Sequence, residues 1–205
     1  MMDEGYIKFN AIWNKGKPFS KSLLNDLNTY RDLMFQMNLI GAYDNGIGFG
    51  NISQRHQYNQ FFISGSATGN FAQLDEQHYS LVTDFNIQEN RVNCEGPIIA
   101  SSESMSHAVI YKECPEVNVV IHVHQLSWWK KLLHKIPTTP DTATYGSPEM
   151  AHEIIRLFQE SDVAKKRVFA MAGHQEGLFG FGKNFREASR FFIQLFESNQ
   201  RLKPK

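Results

Sequence analysis

The segment NVVIHVHQ, residues 118–125, ends an apolar run with two histidines that stand one residue apart. The apolar run predicts a buried β-strand, in which positions i and i+2 share a face, so His122 and His124 point the same way. Two neighbouring imidazoles repel each other when both are protonated, and they are costly to bury without partners. A divalent metal bound to the neutral rings removes both difficulties. The alternative is a pair of strand-end histidines that hydrogen-bond to water or to carbonyl groups.

A third candidate ligand is His174, in the segment RVFAMAGHQEG, residues 167–177. The apolar part of this segment predicts a strand, and the glycine after it indicates that His174 lies at the strand end, as His122 and His124 do. Three histidines from two neighbouring strand ends form an open metal site, with one coordination position left for water or substrate. The alternative for His174 taken alone is an ordinary loop histidine.

The composition is that of an ordinary globular protein. Hydrophobic residues make up 41% and charged residues 20% of the 205 residues, so we expect a single domain over residues 1–205. Lys plus Arg and Asp plus Glu both number 21, which gives no indication of nucleic acid or an anionic membrane as a partner. The start MMDEGYIKF is not typical of a signal peptide, no apolar run is long enough to span a membrane, and Cys94 and Cys114 form no CxxC motif. We therefore expect a cytoplasmic protein with reduced thiols.

The spacing of apolar residues predicts an α/β fold. Ser20 is an N-cap candidate, and Ser147 followed by Pro148 is a strong helix start. Because helices and strands alternate irregularly, we expect a mixed or antiparallel central sheet. The predicted helices cover residues 20–37, 102–114, 126–135, 146–160 and 184–198, and the predicted strands lie within 5–13, 45–55, 61–65, 117–123, 167–172 and 176–182.

A second element with candidate chemistry is IIASSESMSHAVIY, residues 98–111. Ser101 and Ser102 can cap the helix that follows them, and Glu103 and His107 stand four residues apart on one face of that helix. The alternative is a capping segment with a carboxylate that faces solvent.

Glycine-rich turns with hydroxyl and amide side chains form a third element. They occur in GFGNIS, residues 48–53, and in ISGSATGN, residues 63–70. Turns of this kind expose backbone N–H groups in concave arrangements that hold phosphate without a lysine. The candidate residues are Gly50, Asn51, Ser64, Ser66, Thr68 and Gly69.

In this order, the elements resemble the class II aldolase/adducin family. The motifs that carry the resemblance are GNIS, SGSATG, SSE with His107 after it, IHVH, YGSPEMA and GHQEG. The resemblance implies a three-layer α/β/α fold with a central, largely antiparallel sheet, and assembly as a homotetramer. It also implies an enzyme that binds zinc or a related divalent metal through three histidines and that cleaves or rearranges small sugar phosphates.

The resemblance also implies roles for individual residues. It gives His122, His124 and His174 as metal ligands and Glu103 as the acid/base carboxylate. Tyr145, which we name with Glu103 as a candidate catalytic residue, matches an aromatic that lines the site, with a structural aromatic as the alternative. His107 matches a histidine with a positional role. The residues that match the phosphate-binding turns are Asn51, Ser66, Thr68, Gly69, Ser101 and Ser102.

The chain departs from the family pattern in two places. Gln175 and Glu176 separate His174 from Gly177, so we expect either a reshaped loop or an approach of Glu176 to the metal. The span from His124 to Tyr145 is short, and in well-known family aldolases this region contributes a catalytic tyrosine across a subunit interface. No equivalent of that tyrosine can be placed in this sequence.

The hypothesis that follows is a zinc-dependent lyase, with cobalt or manganese as alternative metals. It would cleave a small ketose phosphate to dihydroxyacetone phosphate and an aldehyde, because a metal that chelates the ketone stabilises the enediolate. An epimerase, dehydratase or decarboxylase of a sugar phosphate would use the same site, and the sequence does not separate these reactions.

Two further alternatives belong to other classes. A non-catalytic scaffold domain like the head of adducin would be expected to lose metal histidines, whereas this chain keeps all three candidates and Glu103. A purely structural metal would normally have a fourth protein ligand and would give no reason for phosphate-binding turns.

Overall fold

The computed structural model describes residues 6–201. Its strands are β1 Asn10–Lys15, β2 Gly41–Ala42, β3 Gly48–Phe49, β4 Asn51–Arg55, β5 Phe61–Ser64, β6 Tyr79–Asn86, β7 Arg91–Gly96, β8 Val119–His124, β9 Thr138–Thr139, β10 Val168–Met171 and β11 Gly177–Gly182. Within these residues, one nine-stranded sheet has the order β1-β7-β6-β5-β4-β8-β11-β10-β9, and β2 and β3 form a separate hairpin. The β1–β7 and β9–β10 pairs at the two edges are parallel, and the other pairs of the large sheet are antiparallel.

Helices cover both faces of the sheet. They are α1 Lys21–Gln36, α2 Ser104–Glu113, α3 Leu126–Leu132, α4 Pro148–Glu160, α5 Val163–Lys166 and α6 Phe185–Arg201. Buried side chains of α2, α4 and α5 belong to one hydrophobic cluster, and those of α1, α3 and α6 belong to a second cluster. This arrangement confirms the three-layer α/β/α fold with a largely antiparallel sheet.

Strand β8 lies in the middle of the sheet and is buried over its whole length. Val120 belongs to the cluster on the α2 and α4 side, whereas Ile121 and Val123 belong to the opposite cluster. Because side chains alternate along a strand, His122 and His124 share the face of Val120. The strand therefore presents both imidazoles to the layer that contains α2 and α4.

The two predicted helix starts behave differently. Ser147 caps α4 as expected, since its Oγ accepts a hydrogen bond from the N–H of Met150 at 3.2 Å. Ser20 occupies the N-cap position of α1, but its hydroxyl pairs with Ser22 Oγ at 2.7 Å and makes no capping hydrogen bond. A serine at the cap position thus predicted correctly where both helices begin. It predicted the capping hydrogen bond correctly only for α4.

Other expectations are corrected in detail. The predicted strand within residues 5–13 is β1, which runs from Asn10 to Lys15, and residue 5 lies outside the described part. Helix α2 begins at Ser104, because Glu103 takes the N-cap position instead of the serines before it. The antiparallel pair β6 and β7 was not predicted, since a register shift between Val82 and Asp84 interrupts its alternation.

Two further expectations concern compartment. Cys94 and Cys114 are both buried and form no disulfide. Over residues 6–201, no helix combines the length and the apolar character that crossing a bilayer requires.

The hairpin formed by β2 and β3 packs closely on the turn that follows β5. A methyl group added at Gly69 would lie 2.1 Å from the carbonyl oxygen of Gly41 and 2.8 Å from the Cα of Gly48. Only glycine permits this approach of backbone to backbone. The hairpin and the glycine-rich turn therefore form one wall beside the end of β8.

Candidate metal and substrate site

Three buried histidines converge at one end of β8. His122 and His124 come from the strand itself, and His174 comes from the turn between β10 and β11. The Nε2 atom of His124 lies 3.0 Å from that of His122 and 3.0 Å from that of His174. Their candidate ligand atoms all lie within 4.8 Å of one another. The structure thus brings together the three histidines named from the sequence.

The neighbouring strand β11 makes room for these rings. Gly177 pairs with His124 across the sheet. A methyl group at Gly177 would lie 2.6 Å from His174 Cδ2 and 3.2 Å from His122 Cε1. A side chain at this position would displace the imidazoles, so glycine is required here.

Each β8 histidine has a partner on the side away from the other rings. His122 Nδ1 lies 3.2 Å from the carbonyl oxygen of Leu178, and His124 Nδ1 lies 2.9 Å from the Tyr43 hydroxyl. A carbonyl oxygen only accepts, so His122 carries its proton on Nδ1 and directs the Nε2 lone pair at the other histidines. Metal-ligating histidines are commonly oriented in this way.

The electrostatics of the cluster favour neutral rings. Burial lowers the pKa of His122 and of His124 well below the usual histidine value, and it lowers the pKa of His174 to about 3. Neutral imidazoles are the form that binds a metal. Tetrahedral coordination at about 2.0–2.1 Å requires nitrogens roughly 3.3 Å apart, close to the 3.0 Å that separates His124 Nε2 from each of the other two Nε2 atoms. The donor set therefore fits a divalent metal ion.

Glu103 lies beside the histidine cluster at the start of α2. Its carboxylate is buried, and Oε2 accepts a hydrogen bond from Ser106 Oγ at 3.0 Å. Oε1 lies 3.8 Å from His174 Nε2 and has no hydrogen-bond partner within residues 6–201. Burial raises the pKa of Glu103 to about 7, against the opposing effects of the Ser106 hydrogen bond and of the Lys8 charge.

A cavity of about 280 Å³ opens in front of Glu103. Glycine-rich turns form most of its wall, together with the serines that precede α2. The six residues that the family resemblance gave for phosphate binding all line it, and of the candidates in the glycine-rich turns only Ser64 does not. The lining residues are Tyr6, Gly46, Ile47, Gly48, Gly50, Asn51, Gly65, Ser66, Ala67, Thr68, Gly69, Ser101, Ser102 and Glu103.

A buried hydrogen-bond chain fixes the side chain of Asn51. His107 Nε2 lies 2.6 Å from Asn51 Oδ1, and His107 Nδ1 lies 2.6 Å from Ser53 Oγ. Tyr111 Oη continues the chain at 2.8 Å from the same Ser53 hydroxyl. Because the amide oxygen only accepts, His107 donates from Nε2, and the amide nitrogen of Asn51 remains available for the cavity. His107 therefore contacts Asn51 from behind the cavity, and its positional role stays a prediction.

The turn after β5 rests on a buried guanidinium. Arg31 Nη2 donates to the carbonyl oxygens of Thr68 at 3.1 Å and of Gly69 at 3.3 Å, and Nη1 donates to Ala72 at 3.2 Å. Sequence reasoning missed Arg31, although a signal was available. It stands on the same helical stripe as Leu27 and Met34, where a charged residue is unusual.

Tyr145 lies behind His174. Their ring centroids are 4.7 Å apart, and the ammonium group of Lys8 lies 4.0 Å from the centre of the tyrosine ring. The Tyr145 hydroxyl accepts a hydrogen bond from the N–H of Tyr6 at 3.2 Å. These contacts favour the structural alternative for Tyr145, as a support for His174. Lys8 and Tyr6 were not predicted at the site, since no local pattern marks them.

Glu176 stands in the turn that departs from the family pattern. Its carboxylate Oε2 accepts a hydrogen bond from the Tyr43 hydroxyl at 3.2 Å. Glu176 does not belong to the group of candidate ligand residues, so the approach to the metal stays a prediction. Glu176 reaches the cluster through Tyr43 and the far side of His124. Tyr43 itself was not predicted, because it follows a two-residue strand with no recognisable pattern.

Comparison with known proteins agrees with this geometry. Residues 42–129 match the model of the class II aldolase and adducin N-terminal domain. The matched part contains the cavity turns, Glu103, His122 and His124, and it ends before His174.

A relative of similar sequence carries an epimerase name. Over 106 residues, the chain is 27% identical to the protein named "Probable L-ribulose-5-phosphate 4-epimerase UlaF" of Mycoplasma pneumoniae. The match covers 51% of this chain and only 41% of that relative.

Solved structures with the same fold cover most of the chain. YgbL from Klebsiella pneumoniae, described as a candidate aldolase, epimerase or decarboxylase, has a TM-score of 0.63 at 16% identity and 90% coverage of both chains. L-fuculose 1-phosphate aldolase has a TM-score of 0.61 at 18% identity, covering 92% of this chain and 91% of its own. A sugar-phosphate aldolase from Thermotoga maritima has a TM-score of 0.62 at 16% identity, with 90% and 97% coverage.

Proposed function

We propose that this chain, which resembles the class II aldolase and adducin family over residues 42–129, is a metal-dependent lyase. Its substrate would be a small ketose phosphate, cleaved by a retro-aldol reaction to dihydroxyacetone phosphate and an aldehyde. The observation that carries the proposal is the meeting of three histidine Nε2 atoms, a buried carboxylate and a glycine-lined cavity at one end of β8.

His122, His124 and His174 would hold the metal, for which we propose zinc, with cobalt or manganese as alternatives. When bound, such an ion supplies a Lewis acid that polarises a substrate carbonyl and stabilises negative charge on its oxygen. The protein's part is to keep the three rings neutral and aimed at one point. Burial and the Leu178 and Tyr43 contacts serve that purpose.

Glu103 would move the proton. With a pKa of about 7 in the metal-free protein, its carboxyl group can hold or release a proton near neutral pH. A divalent cation nearby would favour the charged form and lower that pKa. Oε1 is the atom that would do this, since Oε2 is engaged by Ser106.

The cavity would hold the phosphate end of the substrate. Asn51 offers an amide nitrogen, Ser101 and Ser102 offer hydroxyl groups, and the turn of residues 65–69 offers backbone. The Arg31 guanidinium behind that turn adds positive charge without entering the cavity. Holding the phosphate fixes the reacting carbons, which contributes to rate through proximity.

Epimerisation of a sugar phosphate is the second candidate. The observation that favours it is the similarity to a relative named as an L-ribulose-5-phosphate 4-epimerase. The same residues would serve, because the two reactions share a carbon–carbon bond cleavage and differ in whether the fragments are rejoined. Dehydration and decarboxylation would also use such a site. The scaffold alternative is disfavoured by the retention of three buried histidines around one point.

Assembly and location are also proposals. We propose a cytoplasmic homotetramer, with a small phosphorylated sugar as substrate and neither nucleic acid nor membrane as partner. Trp128 and Trp129 are adjacent in the sequence, and an exposed tryptophan there would suit an interface, because interfaces are enriched in tryptophan. They give the tetramer no support, since Trp128 is buried and Trp129 donates its indole N–H to the carbonyl oxygen of Met171 at 2.8 Å. Light scattering at micromolar concentration is the test, and a monomer would refute the tetramer.

The reaction can be tested on the purified protein loaded with zinc, cobalt or manganese. Small ketose 1-phosphates are screened with a coupled dehydrogenase that detects dihydroxyacetone phosphate, and L-ribulose 5-phosphate is screened for epimerisation. We expect metal-dependent release of dihydroxyacetone phosphate, slowed about 10²- to 10⁴-fold by Glu103→Gln. Absence of stoichiometric metal after mild dialysis would refute the metal site, and epimerisation without release of separate fragments would support the second candidate instead.

A further inference from the structure

The hairpin formed by β2 and β3 reaches the outer side of His124. Phe49 stacks on the His124 ring, with centroids 5.5 Å apart and planes inclined at 26°. Tyr43 packs against Phe49 at 4.7 Å and places its hydroxyl 2.9 Å from His124 Nδ1. The hairpin turn is closed by a hydrogen bond from the N–H of Tyr43 to the carbonyl oxygen of Ile47 at 2.9 Å. His124 is thus held by two aromatic side chains from one hairpin.

The Tyr43 hydroxyl, which contacts His124, also contacts Glu176 in the turn between β10 and β11. Glu176 Oε2 lies 3.2 Å from the Tyr43 hydroxyl, and the Glu176 carbonyl oxygen accepts a hydrogen bond from the N–H of Gln125 at 3.1 Å. Its φ angle of 73° is in the left-handed region that a glutamate rarely adopts. Strained residues persist where the surrounding structure requires them, often at functional sites. Here the strained turn brings the carboxylate to Tyr43.

The direction of these hydrogen bonds follows from the groups involved. A phenol has one proton to donate, and an ionised carboxylate only accepts. When Tyr43 donates to Glu176, its oxygen must accept from His124, which then carries its own proton on Nδ1. The Nε2 of His124 is left with a lone pair that points at His122 and His174, 3.0 Å from each Nε2.

We propose that Tyr43 and Glu176 form a hydrogen-bonded relay that selects the metal-binding tautomer of His124. Tyr43 is a positioning residue in this arrangement, and Glu176 acts through it. Outer partners of this kind orient a metal-ligating histidine and raise its basicity. The relay also answers the question raised by the unusual His174–Gly177 turn. In this arrangement Glu176 of that turn supports the ligand His124 through Tyr43, and the turn contributes no metal ligand besides His174.

The relay can be tested by two measurements on the full-length protein. The first is the tautomer of His124 in metal-free, ¹⁵N-histidine-labelled protein, assigned with His124→Gln. We expect the proton on Nδ1 in the wild type and a shift toward Nε2 in Tyr43→Phe. The second is the affinity for Zn²⁺ alone, measured by competition with a chromophoric chelator. We expect Tyr43→Phe to weaken binding about 10- to 100-fold.

Two further variants sharpen the comparison. Tyr58→Phe removes a hydroxyl from an exposed tyrosine in the loop between β4 and β5, and it should bind Zn²⁺ like the wild type. Glu176→Gln keeps an acceptor without the charge, so it should weaken Zn²⁺ binding less than Tyr43→Phe does. If Tyr43→Phe does not fold, as judged by its thermal unfolding without metal, Glu176→Ala is measured in the same two ways, because it removes the acceptor of the Tyr43 proton. A shift of the His124 proton toward Nε2 with weaker Zn²⁺ binding supports the relay, and no change in either overturns it.

The inference rests on the metal site of the proposed function, but the two can fail separately. A wild type that binds no Zn²⁺ while His124 keeps its proton on Nδ1 refutes the proposed function and leaves the relay standing. A wild type with the proton on Nε2 overturns the relay. Unchanged Zn²⁺ affinity in a folded Tyr43→Phe overturns the relay and leaves the metal site intact.

Discussion

Glu103 has an environment that suits proton transfer better than capping. It occupies the N-cap position of α2, but its side chain makes no capping hydrogen bond. The carboxylate is buried, engaged on one oxygen by Ser106 and directed with the other toward His174. Desolvation opposes its charged form, whereas a helix N-terminus and a nearby cation favour it. A compromise among these effects is what a general acid or base needs at neutral pH.

Replacing Glu103 by Gln should separate this role from that of the metal ligands. We expect the variant to keep its fold and its bound metal and to lose about 10²- to 10⁴-fold in turnover, the usual contribution of a general acid or base. Kinetics and metal content are measured on the same preparation.

The matched control for Glu103→Gln is Glu149→Gln, which removes an exposed carboxylate from the first turn of α4. It should change turnover little. Loss of metal together with activity in Glu103→Gln would make Glu103 a ligand, and unchanged turnover would leave it only a helix-start residue.

At the scale of elements, the β2–β3 hairpin and the turn after β5 depend on each other. Gly41 and Gly48 of the hairpin approach Gly69 too closely for any side chain there. Arg31 stabilises the same turn by donating hydrogen bonds to the carbonyl oxygens of Thr68 and Gly69. One face of this unit lines the cavity, and its far end supports His124 through Tyr43. A change that separates the hairpin from the turn should therefore weaken the binding of phosphate in the cavity and the binding of metal at His124.

Replacing Gly69 by Ala tests this dependence. The added methyl group would lie 2.1 Å from the Gly41 carbonyl oxygen, so the hairpin must move. We expect the free energy of unfolding to fall by about 1–3 kcal/mol, as for other overpacked positions. Inorganic phosphate should also bind more weakly. Urea unfolding and equilibrium binding measure the two effects.

Gly16→Ala is the control for Gly69→Ala, because a methyl group there meets its nearest atom at an ordinary 3.6 Å. It should change the free energy of unfolding by no more than about 0.5 kcal/mol. Equal stability of the two variants would show that the hairpin contact is loose.

At the scale of the whole molecule, four buried histidines lie close to the middle of the sheet: His107 from α2, His122 and His124 from β8, and His174 from the turn between β10 and β11. Burial lowers the pKa of His107, His122 and His124 well below the usual value, and it lowers that of His174 to about 3. In the metal-free protein, the unfolded chain binds protons on these residues below about pH 6.5, and the folded protein does not. The contribution of these histidines to the free energy of unfolding is therefore fully present above that pH, and it is lost as the pH falls.

The metal-free protein should consequently unfold more easily in mild acid. Glu103 acts in the opposite sense between about pH 4.5 and 7, since its folded form holds a proton that the unfolded carboxylate has released. That one group offsets only one of the four histidines. We expect the urea midpoint in the presence of chelator to be lower at pH 5.5 than at pH 7.

His122→Gln should reduce this dependence on pH, because one of the buried imidazoles is gone. His152→Gln, which removes an exposed histidine from α4, is the matched substitution. Equal urea midpoints at the two pH values would contradict the expectation for the wild type.

The sequence by itself determined the features that repeat over a few residues. The alternation of side chains along β8 places His122 and His124 on one face. Ser147 and Pro148 start α4. Both features depend on residues that are near neighbours along the chain, so the sequence predicts them. Motif order indicated the family that the chain resembles. Only the tertiary structure decided that Arg31 supports the cavity turn and that Tyr43 and Glu176 meet behind His124. Tyr43 and His124 are 81 residues apart, and no local pattern records a contact made by packing distant segments.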